Sequence, residues 1–174
     1  MGMKNEPQKV AVFAGSFDPF TLGHLDIVKR ASKLFDTLWI LVAENASKNC
    51  LFDSLTRANL VKEAVAEFAN VNVAVHEGLT VDFMKSVEAS YLVRGVRGSM
   101  DVDYEQSVAW NNKTLYEKAE TVILLSAPEH LSISSSVVRE LLKCGRGAKN
   151  LNVTIQKFIP SNILSKLLTE YEKI

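Results

Sequence analysis

A chain of 174 residues, with 20 lysines and arginines balancing 20 aspartates and glutamates, has the length of one ordinary domain and no overall field that would favour nucleic acid or an anionic membrane. Its apolar runs fall far short of a bilayer span, and its first residues show neither a signal region nor a myristoylation motif. Cys50 and Cys144 are too few and too separated for a disulfide framework or a zinc site. The expected setting is a reducing cytoplasm, with any anion bound by a local cluster and neither cysteine given a role.

After a polar beginning, Met1 to Gln8, expected to be flexible, the apolar run Val10 to Ala14 predicts a buried strand. It runs straight into Gly15-Ser16-Phe17-Asp18-Pro19-Phe20-Thr21-Leu22-Gly23-His24, a glycine turn that delivers a histidine to the start of a helix. The positive end of a helix dipole and its unpaired N–H groups suit a phosphate there, and Gly23 keeps the approach open. Physics alone leaves a second reading, since many strand-to-helix turns carry glycine for steric reasons and many histidines merely cap a helix. Asp18 and Pro19 are expected to shape the turn.

The helix carries Leu25, Val28, Ala31 and Phe35 as its stripe, and Leu38 to Val42 follows as a strand. The loop after it, Glu44 to Cys50, holds Lys48, which is ordinarily solvated surface but here follows a parallel strand. Val61, Ala64, Val65 and Phe68 mark a second helix and Val71 to Val75 a third strand, with His76 expected to be structural. Thr80 is expected to cap a short helix through Val81 to Met84.

Tyr91 to Val93 is the fourth strand, followed by Arg94-Gly95-Val96-Arg97-Gly98, a forked donor pair among glycines. A long helix is expected from about Val102 to Tyr116, where the acids Asp101, Asp103 and Glu105 suit the helix dipole without needing a catalytic purpose. The strand Thr121 to Leu125 comes next, then His130-Leu131-Ser132-Ile133-Ser134-Ser135-Ser136 entering a helix from about Ser135 to Leu142. A plain cap would use one of those serines. Gly145-Arg146-Gly147 is expected to close that helix with residues that tolerate a left-handed backbone. A last helix follows Pro160, with Leu164, Leu167, Leu168 and Tyr171 packing on this domain or on another subunit.

The alternation predicts a single α/β domain of residues 1–174: a Rossmann-like, doubly wound, parallel five-stranded sheet with helices on both faces. Ligands of such sheets bind beyond the carboxyl ends of the strands, where every motif above falls. The dinucleotide fingerprint GxGxxG is absent.

The segment Gly15 to His24 resembles the nucleotidylyltransferase HxGH signature with Thr21 in place of the first histidine, and the whole motif set is similar to that of the phosphopantetheine adenylyltransferases. That resemblance implies transfer of the AMP moiety of ATP to 4′-phosphopantetheine, giving dephospho-coenzyme A and pyrophosphate in coenzyme A biosynthesis. It implies His24 and Lys48 as the catalytic donors. It assigns ATP to Ser16, Phe17 (through its backbone), His24, Gly95, Val96, Arg97, Glu105 and the loop His130, Leu131, Ser132, Ile133, Ser134, Ser135 and Ser136. It assigns phosphopantetheine to Ser16, Lys48, Thr80 and Arg94.

The resemblance further implies Mg²⁺ carried by the triphosphate and water rather than by protein ligands, coenzyme A as a feedback inhibitor, and a homohexamer. The chain departs from the family at Ser16, where threonine is usual, at Ala46, Asn49 and Cys50 within an NPSKKP pattern, and at His130, where tryptophan is common. Two alternatives stay open: a nucleotidylyltransferase for nicotinate mononucleotide or a polyol phosphate, and a regulatory module that senses ATP or coenzyme A without turnover.

Overall fold

The computed structural model describes residues 7–44, 49–145 and 150–174. Strands β1 (Val10–Gly15), β2 (Thr37–Glu44), β3 (Val71–Glu77), β4 (Tyr91–Val96) and β5 (Glu120–Leu125) alternate with helices α1 (Leu22–Ala31), α2 (Ser54–Ala64), α3 (Thr80–Ser86), α4 (Ser99–Leu115) and α5 (Ser135–Cys144). Two further helices follow, α6 (Leu151–Ile155) and α7 (Ser161–Glu172), and a 3₁₀ turn spans Pro128–His130. The strands form one parallel sheet in the order β3-β2-β1-β4-β5.

Side chains alternate across that sheet, as the period of two in a strand requires. Ala11 and Phe13 of β1, Leu38, Ile40 and Val42 of β2 and Val93 of β4 face a core completed by Ile27 and Val28 of α1, Leu60 and Val61 of α2, Val138 and Leu142 of α5 and Ile163 and Leu167 of α7. Val12 and Ala14, Leu41 and Leu92 face a smaller core closed by Val81, Phe83 and Met84 of α3. Both faces are therefore covered, and no helix among the described residues is long and apolar enough to cross a membrane.

The elements follow the sequence pattern with shifts at their ends. Phe35 and Phe68 pack on the large core from turns just beyond α1 and α2 rather than from within those helices. The cap of α3 is Leu79, not Thr80: Gly78, at φ +112°, swings the chain off β3 so that Thr80 is already helical. Helix α4 starts at Ser99, before the acids that were expected to open it. Gly145 caps α5 at φ −91°, outside the left-handed region, and a Cβ on it would come within 2.6 Å of Leu151 Cδ1 and 2.9 Å of Leu141 O. Crowding against α6, which had no clear periodic signal, is thus the reason for glycine there. Arg146 and Gly147 lie outside the described residues, as does most of the beginning expected to be flexible.

Helix α7 packs on its own chain. Ile163, Leu167 and Tyr171 are buried, and Lys166 and Asn162 both bond Glu63 of α2.

Candidate active site

The winding of the sheet reverses between β1 and β4, which are neighbours in space but not in sequence. Both strands end there without a crossover covering them, and this is where an open parallel sheet leaves a crevice. A cleft of about 630 Å³ occupies it. Its walls come from the turn after β1, the end of β4, the start of α4 and the loop entering α5.

The turn after β1 is built around aromatic packing. Phe17 takes a left-handed backbone, φ +48°, which a bulky residue rarely adopts. Its ring is buried against Phe13 at 5.3 Å, Phe20 at 5.7 Å and the imidazole of His24 at 5.1 Å between centroids. Phe20 stands 5.4 Å from the same imidazole. The histidine thus sits in an apolar nest at the start of α1.

Burial, reinforced by the nearby positive charge of Arg97, lowers the His24 pKa to about 4, so the ring is neutral at pH 7. The backbone N–H of Thr21 donates to Nδ1 at 3.0 Å, and the Thr21 hydroxyl lies 3.0 Å from the same atom. Since Nδ1 accepts, the proton of the neutral ring is on Nε2. His24 is a fixed, uncharged donor.

Gly23 beside it has open space: a Cβ there would make only ordinary contacts, the nearest at 3.7 Å to Thr21 Oγ1. Among the described residues nothing in the packing demands glycine at this position, and its small size keeps the floor of the cleft clear. Gly95 is different, because a Cβ there would come within 3.0 Å of Ile27 Cγ1. Close packing of α1 on β4 accounts for that glycine.

Arg94 crosses the end of β4 with both faces engaged. Its Nε donates to Glu105 Oε2 at 2.6 Å, its Nη2 to Glu105 Oε1, and its Nη1 to the carbonyl of Ala14 at 2.7 Å. Glu105 is the one buried residue of α4. Arg97 bonds Asp101 at 3.1 Å, and that bond holds the Asp101 carboxyl below its ordinary pKa.

The serines divide their work. Ser134 caps α5 by accepting from Val137 N, Ser135 donates to Pro19 O at 2.9 Å, and Ser136 accepts from Arg139 Nη2 at 3.0 Å. The loop into α5 is thereby pinned to the turn after β1.

Of the residues read from the sequence, Ser16, Phe17, His24, Arg94, Gly95, Arg97, Glu105, His130, Ile133, Ser134, Ser135 and Ser136 all line the one cleft. Val96 is buried beneath it, and Thr80, Leu131 and Ser132 do not line it. Lys48 lies outside the described residues, although Asn49 and Cys50 at the end of its loop reach the cleft wall.

Asp18 does shape the turn. It is 2% exposed and accepts from the backbone N–H groups of Leu51 and Phe52 at 2.7 and 3.0 Å, which ties the loop of Lys48 to the turn. Arg139 was missed. It donates to Asp18 O at 2.6 Å from the cleft wall, and its place three residues after Ser136 on one helix face was the available signal.

A strand, a glycine turn and a helix-start histidine facing a switch-point cleft lined with arginines and serines define a nucleotidyltransferase, and residues 12–141 match the cytidylyltransferase-like family model. A phosphopantetheine adenylyltransferase of Limosilactobacillus reuteri is 46% identical over 95% of this chain and 94% of its own, and one of Levilactobacillus brevis is 42% identical over 94% and 97%. The chain belongs to the phosphopantetheine adenylyltransferase family. The fold is also that of a nicotinic acid mononucleotide adenylyltransferase of Plasmodium falciparum solved with NaAD: TM-score 0.70, 16% identity, covering 95% of this chain and 98% of that one.

Proposed function

We infer that this chain transfers the adenylyl group of ATP to 4′-phosphopantetheine, giving dephospho-coenzyme A and pyrophosphate. The observation that carries this reading is that twelve of the side chains and glycines assigned from the sequence converge on one cleft in a chain whose kinship spans nearly its whole length. A phosphate oxygen of phosphopantetheine attacks the α-phosphorus in line. The bond to the bridging oxygen breaks as the new one forms, and pyrophosphate leaves with the electron pair.

The attacking phosphate is already a nucleophile, so no general base is needed. The protein's task is to hold two anions together and to meet the charge that grows on the α-phosphate. Positioning is worth up to roughly 7 to 11 kcal/mol and one well-aimed donor about 3 to 4 kcal/mol. In this proposal His24 is that donor, through Nε2–H, with Lys48 beside it. Arg94 and Ser16 align the acceptor, and Arg97 with Ser134, Ser135 and Ser136 hold the triphosphate.

Magnesium belongs to the proposal as the companion of ATP. The described residues contain no group of three His, Cys, Asp or Glu able to hold a metal ion. The buried carboxylates of the cleft are also engaged, Asp18 by two backbone N–H groups and Glu105 by Arg94. The side chains therefore fit a nucleotide-borne cation better than a protein-held one.

We also propose cytoplasmic action, inhibition by coenzyme A and assembly as a homohexamer. For the last, α4 offers exposed Met100, Trp110 and Leu115, and the edge strand β5 exposes Leu125. The deciding measurement for function is pyrophosphate release from ATP with phosphopantetheine, nicotinate mononucleotide or glycerol phosphate as acceptor. Release with phosphopantetheine alone is expected, and release only with another acceptor overturns the reading. Light scattering at six chain masses is the expected assembly.

A further inference from the structure

Three arginines from three different elements end on alternate carbonyls running from the end of β1 into the turn after it. Arg94 of β4 donates to Ala14 O, Arg57 of α2 to Ser16 O, and Arg139 of α5 to Asp18 O. Two of them have a carboxylate partner, Arg94 in Glu105 and Arg139 in Asp18 at 3.8 Å. Arg57 has no carboxylate within 4.0 Å among the described residues, only the more distant charge of Asp53 at the start of α2, yet it is 3% exposed and does not line the cleft.

A buried guanidinium that bonds only carbonyls is expensive unless the structure uses its charge or its fork. Arg57 uses both. Its Nη1 bonds Ser16 O and, at 3.3 Å, Ala43 O, while its Nε bonds Phe52 O at 3.0 Å. Ala43 and Phe52 flank the loop that carries Lys48, so one side chain joins the two stems of that loop to the turn.

The Ser16–Phe17 peptide is trans, because the cis bond of this turn is Asp18–Pro19. In a trans peptide the N–H points opposite to the C=O. With Ser16 O drawn down to Arg57 beneath the turn, the Phe17 N–H is aimed to the other side, where Ser16 and Phe17 line the cleft. That N–H has no acceptor among the described residues. The cationic bond to the carbonyl also polarises the peptide and makes its N–H a stronger donor.

We propose that Arg57 is a positioning residue: from below the cleft it holds the Ser16–Phe17 peptide, in its left-handed conformation, with the N–H presented to a phosphate of ATP. The proposal rests on the reading that this cleft binds ATP.

The test is calorimetric titration with magnesium-ATP of the wild-type protein, Arg57→Gln, Arg57→Lys and a core control, Ile163→Val in α7, with melting temperatures measured alongside. Arg57→Gln is expected to weaken ATP about tenfold or more. Arg57→Lys, which keeps the charge but not the fork, is expected to recover part of that loss. Ile163→Val is expected to lower the melting temperature with ATP affinity unchanged.

ATP binding within twofold of wild type in Arg57→Gln overturns the proposal, as does a loss in the control that matches its fall in melting temperature. If Arg57→Gln does not fold, Arg57→Lys decides alone: weakened ATP at a near-wild-type melting temperature supports the assignment, and wild-type affinity refutes it. Absence of pyrophosphate release with phosphopantetheine in the wild type sinks the functional reading instead, and the ATP titration still decides on Arg57.

Discussion

His24 is the donor of the proposed mechanism, and its environment fixes both its charge and its tautomer. Replacing it with alanine removes one donor aimed at the developing charge, so turnover should fall about 10²- to 10³-fold while ATP affinity changes little. Pyrophosphate release and ATP titration check the two halves separately. An unchanged turnover number removes His24 from the mechanism. Its lowered pKa, about 4, also has a thermodynamic consequence. Between pH 6.5 and 4 the unfolded chain takes up a proton at this histidine that the folded chain refuses. Its contribution to stability is therefore complete above 6.5 and is lost as pH falls toward 4, by at most about 3 kcal/mol. The edge of the imidazole still meets solvent, which makes the real loss smaller. Urea melts from pH 7 to 4.5 should show wild type losing stability more steeply than His24→Gln, and parallel curves would refute the linkage.

At the scale of elements, the Arg94–Glu105 pair joins β4 to α4, and Glu105 is the only side chain that α4 buries. Arg94→Ala therefore has two effects. It should weaken phosphopantetheine more than ATP, as KM values for each would show. It also strands a buried carboxylate, which costs about 3 kcal/mol. Adding Glu105→Gln should restore part of the stability and none of the phosphopantetheine binding; restoration of both would assign Arg94 a purely structural role. Most of this architecture was legible in the sequence, because strand alternation and helix spacing are local signals that burial on two faces rewards. The number of serines at Ser134, Ser135 and Ser136 pointed to more than a cap, and the structure shows them bonded to Val137, Pro19 and Arg139. What was not legible is pairing across the fold. Glu105 read as a dipole-favoured acid at a helix start, yet it lies inside α4 against an arginine eleven residues back. Arg57 and Arg139 had no role assigned from the sequence, since only the assembled sheet brings their guanidinium groups to carbonyls 41 and 121 positions away in the chain. Gly95, assigned to ATP from the resemblance, lines the cleft and also packs closely under Ile27, a constraint the sequence did not show.

At the scale of the whole molecule, the last helix and the segment just before it close the core shared by α1 and α2. The N–H of Leu22, first residue of α1, donates to Phe158 O at 2.8 Å, and α7 packs its buried Ile163 and Leu167 into the core shared with α1 and α2. Those two helices carry His24 and Arg57. Leu167→Ala opens a cavity in that shared core and should cost about 3 kcal/mol of unfolding free energy. Because the core is continuous from β1 to α7, the loss should appear as one cooperative transition with the same midpoint by circular dichroism and tryptophan fluorescence. ATP binds the native state alone, so at about a hundred times its Kd it should raise unfolding free energy by roughly 2.7 kcal/mol. That increment should be equal in wild type and in Leu167→Ala if α7 supports the fold without shaping the cleft. A smaller increment in the variant would mean that α7, through α1 and α2, sets the geometry of the phosphate turn itself.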